Sequence, residues 1–182
     1  MVNRGSRPPA GFLYVGLRAR RPTWWIAGIV YLVIGWTAFA TICENGVTGE
    51  GVVDDFRPNG GVAAAPTSVN VGAYESDATV LNLSVTAYAI CANPLPGLVR
   101  ASVVGASNSL DFRSVVATCP VGKVLTGAGY ELNGVTGEGI VDDFRPNGGP
   151  ATAPVSAASG AYEEDAFAGN WSDTGYAICA TA

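Results

Sequence analysis

The chain has no histidine, a single lysine (Lys123) and a single methionine (Met1). Without histidine it lacks the side chain that most often serves as general base or transition-metal ligand. Hydrolytic chemistry would therefore have to run on carboxylates alone. None of its four cysteines forms a C-x-x-C, which argues against a zinc site. Acidic residues are missing from the first 43 positions, which carry Arg4, Arg7, Arg18, Arg20 and Arg21. The remainder holds all fifteen acids against Arg57, Arg100, Arg113, Lys123 and Arg145. A body so acidic is repelled by phosphate backbones, which excludes nucleic acid as a partner.

What is present is a duplication. NGVTGEG-x-VDDFRPNGG starts at Asn45 and again at Asn133, and the echo runs on to Cys91 and Cys179. About 34 of the 48 positions from Asn45 to Ala92 are identical in a unit of about 88 residues. A period this long with Gly-rich turns points to two β-units rather than a solenoid of short repeats. The chain divides into a basic stretch (1–23), an apolar segment (24–43), a first, truncated β-repeat (44–92), a linker NPLPG (93–97) and a second, complete repeat (98–182).

The apolar segment, WWIAGIVYLVIGWTAFATIC from Trp24 to Cys43, has twenty residues and no charge. As a helix it would rise roughly 30 Å, enough to cross a bilayer. Arg18, Arg20 and Arg21 precede it and Glu44 follows, so the positive-inside rule puts the acidic body outside. Two readings fit: an uncleaved membrane anchor, or a secretion signal cut after Ala38-Phe39-Ala40. Both export the body. Export makes disulfides plausible. Cys119 and Cys179 form a closed pair in the second repeat, while the register counterpart of Cys119 is Tyr31. Cys43 with Cys91 is then the only other pairing.

Alternation gives the strands. Lys123–Leu132 carries Val124, Thr126, Ala128, Tyr130 and Leu132 on one face and Leu125, Gly127 and Gly129 on the other, where small groups let a neighbouring layer approach. Ile140–Arg145 is a strand closed by the turn signal Pro-Asn-Gly-Gly. In the last strand of the first repeat, Leu83, Val85, Ala87, Ala89 and Cys91 share a face, which places Cys91 on the core side. The first repeat has no counterpart of RSVVATC or KVLTGAGYEL, so either the two copies share one sheet system or the first is poorly ordered. The expected fold is all-β, a sandwich or prism-like stack of Greek-key units in tandem, behind an N-terminal transmembrane or signal helix.

Chemistry centres on VDDFRPNGG. On a strand Asp55 and Arg57 share a face, as do Asp143 and Arg145, and each pair forms an ion pair. A second reading is a calcium site, because calcium takes six to eight oxygens. Its ligands would be Asp54 or Asp55 with Glu50, Glu75 and Asp77, and in the second copy Asp142 or Asp143 with Glu138, Glu163 and Asp165. Adjacent aspartates on a regular strand point to opposite faces, which does not suit the paired carboxylates of a glycosidase. Tyr74, Tyr162 and Trp171, near these acids and turns, have the chemistry of a sugar-stacking surface.

CPVGKVLTGAGYEL (Cys119–Leu132) together with WSDTGYAICA (Trp171–Ala180) resembles a family of exported actinobacterial β-domains. Their signature is CPxGK, a glycine-rich strand and a terminal strand ending AYAxCA. The resemblance covers 98–182 fully and 45–92 partly. It implies a Cys119–Cys179 pair and export, and carries no assigned activity. The expectation is a non-catalytic extracellular or cell-surface module that binds or builds, with a lectin-like cell-wall glycan binder as the alternative, a surface protein as another partner and no cofactor beyond calcium.

Overall fold

The computed structural model describes residues 32–34, 38–45, 51–59, 65–78, 80, 82–91, 93–135, 137–147 and 153–181. All eleven elements are strands: β1 Leu32–Ile34, β2 Ala38–Asn45, β3 Gly51–Asn59, β4 Ser68–Glu75, β5 Ser84–Cys91, β6 Val99–Val104, β7 Phe112–Thr118, β8 Lys123–Asn133, β9 Gly139–Asn147, β10 Ser156–Glu163 and β11 Ser172–Thr181. They build antiparallel sheets in the orders β4-β3-β8-β11-β6, β7-β10-β9 and β1-β2-β5. The all-β expectation holds. The topology does not divide into two separate units, because the first repeat's β3–β4 hairpin joins the second repeat's sheet through β8.

The expected N-terminal helix meets a different backbone wherever it is described: β1 and most of β2 fall inside Trp24–Cys43. Residues 24–31 and 35–37 of that segment lie outside the described residues. Among the described residues no helix is long and apolar enough to cross a membrane. β2 pairs with β5 through Phe39↔Ile90, Ala40↔Ala89 and Asn45↔Ser84. Strand β8 pairs with β11 through Gly127↔Ile178, Ala128↔Ala177 and Asn133↔Ser172, the same register one repeat later. The tail of the apolar segment thus supplies the counterpart of β8 that the first repeat was expected to lack, without its glycines.

The positions equivalent to β6 and β7 in the first repeat lie outside the described residues, and among the described residues the two repeats differ in burial. β11 is buried on both faces from Ser172 to Ala180, being flanked by β8 and β6 and covered by β7 and β10. Its counterpart β5 leaves Val85 and Tyr88 exposed. Cys91 is likewise exposed and free, which corrects its placement on a core face. The Cys43–Cys91 pairing fails as well. Cys43 lies opposite Thr86 and Cys91 opposite Ala38, about 17 Å apart along the ladder at ~3.3 Å per residue.

The interior is built from small groups. Ala117, Cys119, Ala177 and Cys179 form one buried cluster between the two principal sheets. A Cβ on Gly175 would lie 2.9 Å from Val115 Cγ2, so the layers approach as closely as glycine permits. The Cys119–Cys179 bridge, with 5.7 Å between Cα atoms, ties the end of β7 to β11 across this thin core. A second cluster joins Phe56, Tyr130 and Ile178, with Phe144 packed edge-on against Tyr130 at 5.2 Å. Phe56 and Phe144 are the same position of the two repeats, and both pack on one tyrosine. Gly129 behaves as its spacing predicted: a Cβ there would meet Pro58 Cδ at 2.7 Å and the Phe56 carbonyl at 2.8 Å.

Two outcomes are expected. Replacing Cys119 and Cys179 together by serine lowers unfolding free energy by about 3–4 kcal/mol, read by urea denaturation, because the bridge closes a loop of 60 residues. Cys91→Ser leaves it unchanged. Gly129→Ala costs about 1–3 kcal/mol, since the added methyl meets backbone as well as Pro58. The loss should appear as faster amide exchange in 51–59 before the rest of the molecule.

Candidate functional site

Both VDDFRPN strands carry a β-bulge at the first alanine-glycine step of the partner. On β3, Val53 faces Ala73 and Asp55 faces Gly72, leaving Asp54 as the extra residue. On β9, Val141 faces Ala161 and Asp143 faces Gly160, leaving Asp142 as the extra one. A bulge sets two residues against one and re-aims a side chain. A Cβ on Gly72 would lie 2.8 Å from Asp54 Oδ1 and 3.1 Å from Asp55 Cβ. The two adjacent carboxylates therefore crowd one side of the strand, where a regular strand would separate them.

The surroundings of the two motifs differ completely. Asp54 and Asp55 are 6% and 8% exposed, because β3 lies between β4 and β8. Arg57 Nε lies 3.2 Å from the Asp55 carboxylate, and its Nη1 donates to Glu131 Oε2 at 3.1 Å. Tyr176 donates to the same Glu131 oxygen at 2.7 Å, and Asn70 donates to Asp55 Oδ2. Arg100 stacks over Tyr176 at 5.2 Å and donates to the Pro58 carbonyl at 2.7 Å. Asp54 Oδ1 is buried and accepts no hydrogen bond among the described residues. Asp142, by contrast, is exposed, and Asp143 forms an open 2.8 Å pair with Arg145. The expected ion pairs exist in both copies, one buried and networked, one on the surface.

Electrostatics follow burial. Asp54 is pushed up to about 6 by loss of water, with the neighbouring Asp55 charge adding to the rise. Its own backbone amide and the Tyr74 hydroxyl oppose that rise. Asp55 is raised by burial and by Glu131 against the pull of Arg57 and Asn70. The Tyr74 phenol is raised chiefly by the Asp54 charge, and Tyr176 by burial and its bond to Glu131.

Asp54 connects through Tyr74 to an open groove of ≈ 440 Å³ lined by Tyr74, Glu75, Ser76, Asn82, Leu83 and Glu138, with Ala73 and Gly137. One wall comes from the β4 edge of the first repeat, the other from the loop before β9 in the second. Tyr74 is 39% exposed there. Of the other aromatics expected to meet a ligand, Tyr162 is exposed but on the three-stranded sheet, opposite Phe112. Trp171 is fully buried. Its indole donates to Glu163 at 2.6 Å and carries the Arg113 guanidinium at 4.5 Å over its ring. It is a core residue and offers no face to a sugar.

The calcium ligands that are described are not brought together, and Glu50 lies outside the described residues. Asp54 and Asp55 share their pocket with Arg57, a fixed cation where a metal would need to be. Glu163 is occupied by Trp171 and by the Phe167 amide, while Asp142 and Asp165 are exposed. Among the described residues no group of three or more Cys, Asp or Glu is placed to hold a metal. Glu131, Asn70 and Tyr176 escaped the sequence reading, since nothing in a strand pattern marks which strand will lie beside it. Asp173 had a signal: it is the one acid of the terminal strand, near its start, where the first repeat has Val85. It is 1% exposed and raised by burial, against its own amide and Arg113.

Neither a protein-family model, nor a curated protein, nor a solved structure matches the chain.

The duplicated motif gives an internal control. Arg57→Met leaves Asp55 and Glu131 without their cation in a half-buried pocket and should cost about 2–4 kcal/mol at neutral pH. The cost should shrink in acid, where Asp55, raised by burial, takes up a proton and no longer needs the cation. Arg145→Met, on the surface, should cost no more than about 0.5 kcal/mol. Equal losses for the two variants, by chemical denaturation, would refute the assignment of the buried network.

Proposed function

We propose that this protein is an exported, non-catalytic β-module that binds through the groove between its two repeats. The groove carries this reading: it is the place where side chains of both copies face a common open space, and its lining is a phenol, two carboxylates, a hydroxyl and an amide. Export is supported by the basic, then apolar, N-terminal segment, by the Cys119–Cys179 bridge and by the resemblance to exported β-domains. Disulfides persist in oxidising compartments and stabilise small interiors of this kind. Absence of catalysis is supported by the lack of histidine and by Asp55 and Glu131 being tied to Arg57 rather than turned toward a cleft.

A cell-wall glycan is the ligand favoured by Tyr74, whose exposed ring stands beside Glu75 and Asn82. An aromatic face with adjacent carboxylate and amide groups suits ring stacking and hydroxyl recognition. Glu75 and Glu138 supply acceptors without a calcium ion.

The exported protein is expected to bind cell-wall glycans on an array. Tyr74→Ala should abolish the signal with the fold intact, Glu138→Gln should weaken it, and Tyr162→Ala should leave it unchanged. Loss with Tyr162→Ala and persistence with Tyr74→Ala would move the site to the three-stranded sheet. Absence of any binding would remove the glycan reading. Non-reducing peptide mapping of the exported form should find Cys119 joined to Cys179 and a free thiol at Cys91; free thiols at 119 and 179 would remove the export reading.

A further inference from the structure

The seam between β3 and β8 holds an imbalance that neither strand pairing nor the groove requires. Three carboxylates, Asp54, Asp55 and Glu131, lie within one half-buried patch beside a single guanidinium, Arg57. Arg57 is committed to Asp55 and Glu131, and Asn70 and Tyr176 donate to the same two groups. Asp54 is left with Tyr74 and backbone amides, and its Oδ1 has no partner among the described residues. The bulge places it beside Gly72, where its Oδ1 occupies space that a Cβ on that residue would need. β5, which also packs on β4, brings no charged residue among those described, and its phenol Tyr88 is exposed.

β3 pairs with β8 over a ladder of two residues, Asp55↔Glu131 and Phe56↔Tyr130, reinforced by the Arg57–Glu131 ion pair and by the Tyr130 hydroxyl donating to the Val53 carbonyl at 3.2 Å. One of those pairs sets two carboxylates opposite each other, an arrangement that destabilises a ladder unless a cation or a proton intervenes. Arg57 supplies that cation for Asp55 and Glu131, which leaves Asp54 as the buried acid of the seam without a counter-ion among the described residues.

We propose that the β3–β4 hairpin is an acid-tightened clasp: a proton on Asp54 seats it against the second repeat, and loss of that proton loosens it and opens the groove wall that it forms. The sign follows from linkage. Seated, Asp54 holds its proton up to about 6; released into water it returns to its ordinary value of 3.8. The seated state therefore binds the proton more tightly, and seating strengthens as pH falls through that interval. Acidification of the cell surroundings would close the groove wall, and neutrality would free it. This behaviour is independent of what the groove binds.

Hydrogen exchange by mass spectrometry on the full chain, at about pH 5 and about pH 7.5 and corrected for intrinsic exchange, tests it. Protection of amides in 51–57 and 69–75 should fall about ten-fold or more between the two pH values, while that of 174–179 in β11 holds. Asp54→Asn should flatten the hairpin profile, and Asp142→Asn, at the exposed equivalent, should not. Asp173→Asn removes a buried acid outside the seam and should leave the hairpin slope in place. A flat wild-type profile overturns the proposal, and so does an equal fall in β11 or a slope that survives in Asp54→Asn. Should Asp54→Asn fail to fold, the wild-type and Asp173→Asn profiles decide by the same criteria.

Discussion

Strand β8 has two edges, and the character of this protein follows from what fills the second. One edge takes β11, as the repeat itself dictates. The other takes β3, a strand from the first repeat whose own equivalent, β9, lies at the margin of a different sheet. That junction buries one DDFR motif and leaves the other in water. It also brings Phe56 to Tyr130, and it aligns β4 so that Tyr74 and Glu75 face Glu138 across a groove.

The junction is polar at its centre, which is a weak way to gain stability and a good way to fix position. Buried ion pairs seldom outperform apolar contacts in free energy, but removing one partner is costly. Here Arg57, Asn70 and Tyr176 can be satisfied together only when Asp55 stands opposite Glu131. A slip of one residue would turn Asp55 and Arg57 to the other face, where Phe56 and Tyr130 now meet. The network therefore specifies the register, while the cystine and the alanine-glycine interface hold the two sheets together.

Much of this was legible beforehand. The tandem repeat, the strands of the second copy, the approach at Gly129 and the Cys119–Cys179 pair all follow from spacing and composition. The helix from Trp24 to Cys43 was misjudged over its described part because apolarity alone does not separate a membrane span from a buried strand. Ala38–Asn45 has only Ala40 and Asn45 in common with Ala128 and Asn133 of the second repeat, and it was the ladder register that exposed the equivalence. The bulge was invisible for a related reason. Two adjacent aspartates read as alternating until a partner strand counts two of them against one residue.

The sequence by itself determined that two copies of a β-unit exist, that each ends in a cysteine strand, and that each carries the same acidic turn motif. It determined these because they depend on local alternation, turn chemistry and repetition. Only the tertiary structure decided that the copies are unequal. Identical residues at 54, 55 and 57 and at 142, 143 and 145 acquire different burial, partners and proton affinity, since those properties belong to the neighbour across the sheet. Glu131 and Tyr176 come from strands more than 70 residues further along the chain than Arg57. No pattern within the motif could have named them.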